Sequence, residues 1–555
     1  MKKVVIIGGM ATGCKTAARL KRLRPDFQVT ILEKLPFVSF STCGMPFFAS
    51  GDIDDFNDLI KTPWGKLRDA EFFKSTKGID VLTQTEVTEV DFNHKIVKYT
   101  NTKTSETNTL DYDYLVIATG AKTITPKFQY PNSEKIMTFH SPIDAKKVRM
   151  MAQKGEIGKA VIIGGGYIGC ELAEALVSLW GIETTIIEKE PHLLPMSLDK
   201  ELGDFLTDIF RKNSVEVFTY SVVEKINDRE DGQFEITLNN GENLSADIVF
   251  LCTGVKPNLG LFEGSGLEIR KNGGIKVDNE LRTNIPDVWA GGDCIEIKNL
   301  ITGNYGFYPL GSLANRQGRV IADSIAGIGA NFPGCVGAVS IKVFDTIIAS
   351  SGLNIKKAEN NEINYAKVVG AWYDRPDYHP DSKPIFGKLI YEKENLKILG
   401  IQMIGKGEVT RYVDTFSAIA AKNGDVYDLI NTEHCYTPPH SGPMNPLNFL
   451  GAMALEQERS NIINYSYDEF PIDAIIIDLR EKDESEAAQL GIDSKNIPFN
   501  EYRKHIQNFQ KDKTIIFVCQ KGPRSYEGAV FFKRAGFEKV GYLGGGVQLL
   551  SKIID

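Results

Sequence analysis

Apolar residues in this chain fall into short unbroken runs that stop at glycine, and an amphipathic stretch follows each run. VVIIGGMATG, CKTAARLKRL and QVTILEK (residues 4–34) read as strand, Gly-rich turn, helix and strand. The same order returns in KAVIIGGGYIG, CELAEALVSLWG and ETTIIEKE (159–190). Runs that are apolar at every position predict strands buried on both faces, as in a parallel sheet covered by helices. Two further apolar runs, YDYLVIATGA (112–121) and ADIVFLCTGVKPN (246–258), each end in Thr-Gly. TNIPDVWAGGDC (283–294) follows, then a helical pattern in NRQGRVIADSIAG (315–327). From about 331 to 450 short strands alternate with turns, then come a helix (TRYVDTFSAIAAKNG) and a proline-rich stretch, YTPPHSGPMNP. The pattern turns polar near 451, which predicts a linker, and a last α/β unit closes the chain with IDAIIIDLR and KTIIFVCQKGPRS as strands.

At 555 residues the chain is too long for one core. Its formal net charge of -8 leaves no basic footprint for nucleic acid, and no stretch approaches the roughly 20 apolar residues of a membrane span. MKKVVIIGG mimics a signal peptide, but its apolar run is too short and stops at Gly8. Eight cysteines without regular close pairing do not form a secreted disulfide framework, so the expectation is a cytoplasmic protein with reduced thiols. No ligand spacing of the H-x-x-x-H or C-x-x-C kind predicts a metal site.

Gly164, Gly166 and Gly169 form a complete G-x-G-x-x-G between strand and helix, where backbone approaches a pyrophosphate at a helix N-terminus. Glu188 closes the next strand, placed to hold a ribose 2′-hydroxyl and to repel a 2′-phosphate, which favours NADH over NADPH. Lys189 beside it weakens that preference. The first copy has Gly8 and Gly13 but Met10 in the middle position, with Ala11 next to it; Glu33, followed by Lys34, ends its second strand. With the strand ends at Thr119-Gly120 and Thr253-Gly254, the first site is assigned to FAD and the second to NAD(P)H.

At this point residues 1–450 resemble the pyridine nucleotide-disulfide oxidoreductase superfamily of two-dinucleotide flavoproteins. The resemblance implies that Asp293 in AGGDC meets the flavin ribitol. Cys43 in SFSTCGMP lies after a strand, in a segment expected over the flavin. Dithiol members carry a C-x-x-x-x-C pair here, whereas position 38 is Val, so a lone redox cysteine must cycle as a mixed disulfide, a persulfide or a sulfenic acid. Ser39, Cys43, Gly44 and Pro46 resemble the coenzyme A disulfide reductase branch. The NADH oxidase and peroxidase branch, the alternative reading, looks for a histidine where Ala11 stands. A flavoprotein that senses redox state without turnover is a further alternative.

Resemblance to the CoA branch implies further roles. Arg19 and Arg22 on the first helix would hold CoA phosphates, and Ser39 and Thr42 would border the thiol, Thr42 replacing the branch's asparagine. Tyr378 in DYHP and Tyr436 in CYTPPHS would come from the partner subunit of a homodimer and donate protons to a leaving thiolate, with His379 replacing a second tyrosine. Cys14, Cys170 and Cys252 are read as buried structural thiols. CQKGPRS (519–525), between an apolar strand and a helix, resembles the rhodanese active loop, with Cys519 as sulfur carrier and Arg524 closing the loop; LGGGVQLL (543–550) matches that family's Gly-Gly turn.

The expected fold is thus α/β: an FAD-binding three-layer domain (1–150 and 270–330), an NAD(P)H-binding three-layer domain (151–269), an α+β dimerisation domain (331–450), a linker (451–465) and a rhodanese-like α/β domain (466–555). The expected activity is NAD(P)H-driven, FAD-dependent reduction of CoA disulfide, CoA persulfide or polysulfide, with coenzyme A as bound thiol and small sulfur compounds as partners.

Overall fold

The computed structural model describes every residue except Asn272, Gln489 and Asp555, with only the backbone of Ile553 and Ile554. The chain forms two compact units. The first comprises Met1–Gly164, Leu172–Thr184 and Val223–Cys335; the second comprises Gly165–Glu171, Thr185–Val222 and Val336–Asp555.

The first unit is built on a five-stranded parallel sheet in the order 288–290, 114–117, 3–7, 28–32 and 80–82. Val4 to Ile7, Val29 to Leu32 and Leu115 to Ile117 are all buried, which is why these strands read as continuous apolar runs. The helix Ala11–Leu23 packs on the helix Gly311–Ala326, and the hydroxyls of Thr12 and Thr16 donate to the carbonyls of Ala314 and Gly318, each at 3.1 Å. A Cβ at Gly318 would lie 2.6 Å from the Thr12 carbonyl oxygen, so only glycine lets the helices approach this closely. The second copy repeats the central pairing, with Lys159–Ile163 parallel to Ile248–Leu251 and the latter parallel to Ile136–Met137.

In the second unit an antiparallel sheet runs in the order 339–343, 346–352, 398–405, 384–392 and 365–373. A parallel sheet runs in the order 462–465, 540–543, 515–518, 475–478 and 495–496. The predicted linker is a correction. Residues 451–460 lie in the helix Pro446–Ser460, and Ile462–Tyr465 is the edge strand of the last sheet. Pro446 takes the first helical position and the Asn445 side chain accepts the amides of Leu447 and Asn448, a strong start signal that the later polar residues obscured. Those polar residues face partners: Gln457 donates to Tyr391 Oη at 3.0 Å, and Tyr391 Oη donates to Glu458 at 2.8 Å.

The closing α/β module is seated on the antiparallel sheet. The buried Asn464 side chain pairs with the backbone of Val369, accepting its amide at 2.8 Å and donating to its carbonyl at 3.1 Å. Behind it lies a buried charge network. Lys388, with no exposure, is 2.9 Å from both Asp199 and Glu201. Ser466 donates to Glu201 at 2.8 Å, Gln402 donates to Asp199 at 2.7 Å, and Lys367 reaches Glu469 at 2.6 Å. Among the described residues no helix is long and apolar enough to cross a membrane.

Candidate functional site

The two Gly-rich loops are built alike, atom for atom in several respects. Gly8 and Gly164 both have left-handed φ, 107° and 114°, and a Cβ on either would lie within 2.3 Å of a strand carbonyl, Ala118 or Cys252. In the first loop the Gly9 amide donates to Glu33 Oε2 at 2.6 Å and the Leu35 amide donates to Oε1 at 2.8 Å. In the second, the amides of Gly165 and Glu190 donate to Glu188 at 2.7 and 2.9 Å. Cys14 and Cys170 each donate from Sγ to the loop carbonyl five residues back, Gly9 at 3.0 Å and Gly165 at 3.6 Å. Burial pushes the Cys14 thiol up to about 12, in keeping with a structural cysteine.

These loops fit dinucleotides. Met10, the residue before the first helix, caps it with no side-chain acceptor, which leaves the first-turn amides to an anion. A Cβ built at Gly13 would lie 1.9 Å from the Gly8 oxygen, so loop and helix start are pressed together, while a Cβ built at Gly166 would meet open space. Glu33 and Glu188 are both buried beside their loops, at the ends of their strands. Burial raises the Glu33 carboxyl, and the amides of Leu35 and Gly9 work against that rise. Lys34 points elsewhere, into an exposed ion pair with Glu86 at 2.7 Å. Asp293 precedes Cys294, whose Sγ donates to the Ile117 carbonyl at 3.5 Å; just past the strand that Ile117 ends, Thr119 Oγ1 donates to the Asn258 carbonyl at 2.9 Å, and Gly120 and Gly254 take positive φ. Burial lifts the Asp293 carboxyl to about 6, with His140 opposing. His140 is a neighbour that sequence reasoning missed.

Thr42, Cys43 and Gly44 form one 3-10 turn that runs directly into the helix Met45–Ser50. The segment is anchored by Phe37, Phe40, Phe48 and Phe56, with centroids 5.1 to 6.2 Å apart, and by the Lys146 ammonium 3.8 Å from the Phe56 ring. Val38, where dithiol enzymes carry the second cysteine, is buried against Gly9. Ser39 takes a left-handed φ of 55°, a strained turn that its amide stabilises by donating to the Gly9 carbonyl at 2.8 Å. Cys43 itself is exposed, while Cys14, Cys170, Cys294, Cys335 and Cys519 are buried. On the helix Ala11–Leu23, Arg22 is exposed, whereas Arg19 is half-buried in an ion pair with Asp323. Ala11 opens that helix and offers no acid–base group.

In the second unit Tyr378 and Tyr436 are exposed, at 72% and 51%. The Tyr378 loop is closed at its base by Asp374, whose carboxylate accepts the Lys383 amide at 3.0 Å and Arg375 at 2.9 Å. His379 is turned into this loop, its Nδ1 3.2 Å from the Asp381 amide. Ser441 closes the Tyr436 segment by donating to the Cys435 carbonyl at 2.8 Å.

Cys519 follows directly on the strand Ile515–Val518 and is almost wholly buried. Its sulfur accepts the amides of Gly522 at 3.1 Å and Ser525 at 3.4 Å and lies 3.3 Å from Ser525 Oγ, at the start of the helix Pro523–Arg534. Converging donors at a helix start stabilise an anion on sulfur. Arg524 pairs through both its terminal nitrogens with Glu484, at 2.6 and 2.8 Å. This pairing holds the Glu484 carboxyl at about 2. Below the strand end, Asp478 and Arg480 make a buried ion pair at 2.8 Å. Glu484 was not legible in the sequence, since it lies 40 residues from its arginine.

Comparison with known proteins is consistent across three segments. The family described as pyridine nucleotide-disulphide oxidoreductase matches residues 2–317, its dimerisation domain matches 339–445, and the rhodanese-like domain matches 466–552. A solved NAD-dependent persulfide reductase from A. fulgidus is 36% identical with a TM-score of 0.93, covering 99% of both chains. The reduced CoADR-RHD of Bacillus anthracis is 30% identical with a TM-score of 0.92, covering 100% of this chain and 98% of that one. The NAD(P)H coenzyme A polysulfide/persulfide reductase of Pyrococcus horikoshii is 33% identical over 448 residues, 80% of this chain and 97% of the relative.

Proposed function

The chain belongs to the pyridine nucleotide-disulphide oxidoreductase family and carries a C-terminal rhodanese-like domain, and on that premise we propose that it reduces CoA persulfide, polysulfide or CoA disulfide with electrons from NAD(P)H, through Cys43. Bound FAD would relay electrons from the nicotinamide to sulfur. The protein's own part is to hold the two dinucleotides on Gly8–Gly13 and Gly164–Gly169, with Glu33 and Glu188 for the ribose hydroxyls and Asp293 for the flavin side chain. The buried Glu188 carboxylate would repel a 2′-phosphate, which favours NADH.

The sulfur chemistry follows from the cysteines. Cys43 thiolate attacks the outer sulfur of a persulfide R–S–SH, forming Cys43–S–SH and releasing R–S⁻. Two electrons and one proton then return Cys43 to thiolate and release hydrogen sulfide. With CoA disulfide, the same attack gives a Cys43–CoA mixed disulfide and one CoA thiolate. In a homodimer, Tyr378 and Tyr436 of the partner subunit would protonate the leaving thiolate. Arg22 and Arg19 would face the CoA phosphates, Arg19 after exchanging Asp323 for phosphate, and Ser39 and Thr42 would border the pantetheine thiol. Cys519 would accept a sulfane sulfur and pass it to a thiolate of CoA, regenerating Cys519 thiolate and yielding CoA persulfide for Cys43.

The observation that carries this reading is Cys519, a buried sulfur receiving two backbone amides, in one chain with the exposed Cys43. A Cys519→Ser variant tests it. With inorganic polysulfide and catalytic CoA, its NADH oxidation is expected to fall at least about tenfold, while CoA disulfide is reduced as by the wild type. Equal turnover of polysulfide by both proteins would sink the coupling.

A further inference from the structure

The loop that carries Cys519 reaches out of its own module and touches the segment that carries Tyr378. The Lys521 ammonium lies 4.1 Å from the centroid of Tyr373. Burial lowers the Lys521 pKa, with Asp377 working the other way. Tyr373 ends the strand Tyr365–Tyr373 and pairs with Pro384, and the loop beyond it is rigidly based on Asp374. Tyr378 lies in the loop that this strand opens, five residues beyond the ring that meets Lys521.

The remaining supports of the Cys519 loop are internal to its module. The amides of Val547 and Gln548 donate to the carbonyls of Cys519 at 3.0 Å and Gln520 at 2.9 Å, and Ser525 Oγ donates to the Gly522 carbonyl at 2.7 Å. These are enough to shape the pocket around the sulfur. They say nothing about where the pocket opens with respect to the tyrosine loop. Asn464 seats the module on Val369 of the strand that ends at Tyr373, and Lys521 adds a contact from the Cys519 loop itself, since a half-buried ammonium on a ring face has a preferred position and a preferred partner.

We propose that Lys521 is a positioning residue which, seated on Tyr373, aligns the Cys519 loop with the Tyr378 loop for transfer of sulfur to a large thiol. This rests on the sulfur-carrier reading of Cys519. In the step concerned, the thiolate of CoA attacks the outer sulfur of Cys519–S–SH; a CoA–S–SH bond forms, the Cys519 S–S bond breaks, and Cys519 leaves as thiolate. A small acceptor such as cyanide needs only the pocket, so it is insensitive to alignment. CoA must fit both loops at once.

The test separates the two acceptors, with thiosulfate as the donor probe on the full-length protein. Tyr373→Leu is expected to leave transfer to cyanide within about twofold of wild type and to slow transfer to CoA about five- to thirtyfold. Tyr373→Phe, which keeps the ring, and Lys521→Arg, which keeps the cation, are expected to restore CoA transfer. Equal loss with both acceptors in Tyr373→Leu, or loss with neither, would overturn the proposal, as would failure of Tyr373→Phe to restore it. Failure of the underlying reading is seen separately, as unimpaired polysulfide turnover by Cys519→Ser.

Discussion

Replacing Cys43 by serine is expected to lower NADH oxidation with CoA disulfide, CoA persulfide and polysulfide alike by on the order of 10³-fold or more, because the proposed nucleophile is lost. Val38 occupies the site where a second cysteine would resolve a disulfide, and the nearest cysteine in sequence, Cys14, is buried and donating to Gly9. The bound FAD of the variant should be present in wild-type amount and should still be bleached by NADH. That combination, a flavin reducible by NADH but unable to pass electrons to sulfur, distinguishes loss of Cys43 from damage to the nucleotide loops. Polysulfide-dependent turnover equal to wild type would dismiss Cys43 as the redox sulfur. Oxygen uptake by the wild type in the absence of any sulfur compound would instead favour oxidase chemistry, although Ala11 offers it no acid–base group.

The second large effect is on stability. Lys388→Met leaves Asp199 and Glu201, 7% and 6% exposed, without the cation between them, and removal of one member of a buried ion pair costs roughly 3–5 kcal/mol. Unfolding in urea or by heat should show that loss, and adding Asp199→Asn and Glu201→Gln should recover part of it. A change under about 1 kcal/mol in Lys388→Met would remove the network from the account of stability. The pH dependence has a defined sign. Burial alone would raise the Glu201 carboxyl, but Lys388 and Lys367 outweigh it and bring it to about 2. A depressed folded value means that its contribution is complete above the ordinary carboxyl pKa of 4.5 and is lost as pH falls toward 2. Burial also works against the charge of Lys388, yet Glu201 and Asp199 hold its pKa above the ordinary lysine value, so its contribution is kept below that value and is lost only in strong alkali.

The two nucleotide folds could be read directly because their signals are local: continuous apolar strands, and glycines that no other residue can replace beside Ala118 and Cys252. The local settings of Cys43 and Cys519 could be read because each sits in a short pattern between a strand and a helix, and their chemical roles rest on the proposed function. The helix Pro446–Ser460 was misread because Glu456, Gln457 and Glu458 look like a solvated tract, whereas Gln457 and Glu458 are engaged by Tyr391. What gave no signal was everything that joins distant positions. Lys388 and Glu201 are 187 residues apart, Asn464 and Val369 are 95 apart, and neither pair carries a pattern that ordinary surface or core residues lack. Arg19 was assigned to phosphate by resemblance to the CoA branch, and its present ion pair with Asp323 is equally invisible until the two helices are packed.

The seat of the last module on the antiparallel sheet bears on how such fusions can be recombined. Its seam is polar and specific: Asn464 reads the backbone of Val369, Gly544 leaves only 2.5 Å between a would-be Cβ and Asn464, and Ser466 donates to a carboxylate inside the neighbouring domain. A rhodanese domain transplanted from another protein would have to bring those three side-chain identities in the same spacing. Otherwise the host would be left with a carboxylate and an amide pair buried against a mismatched surface. In breeding terms the two halves of this chain are a matched graft, and compatibility at the union, more than activity of the scion, decides which chimaeras survive.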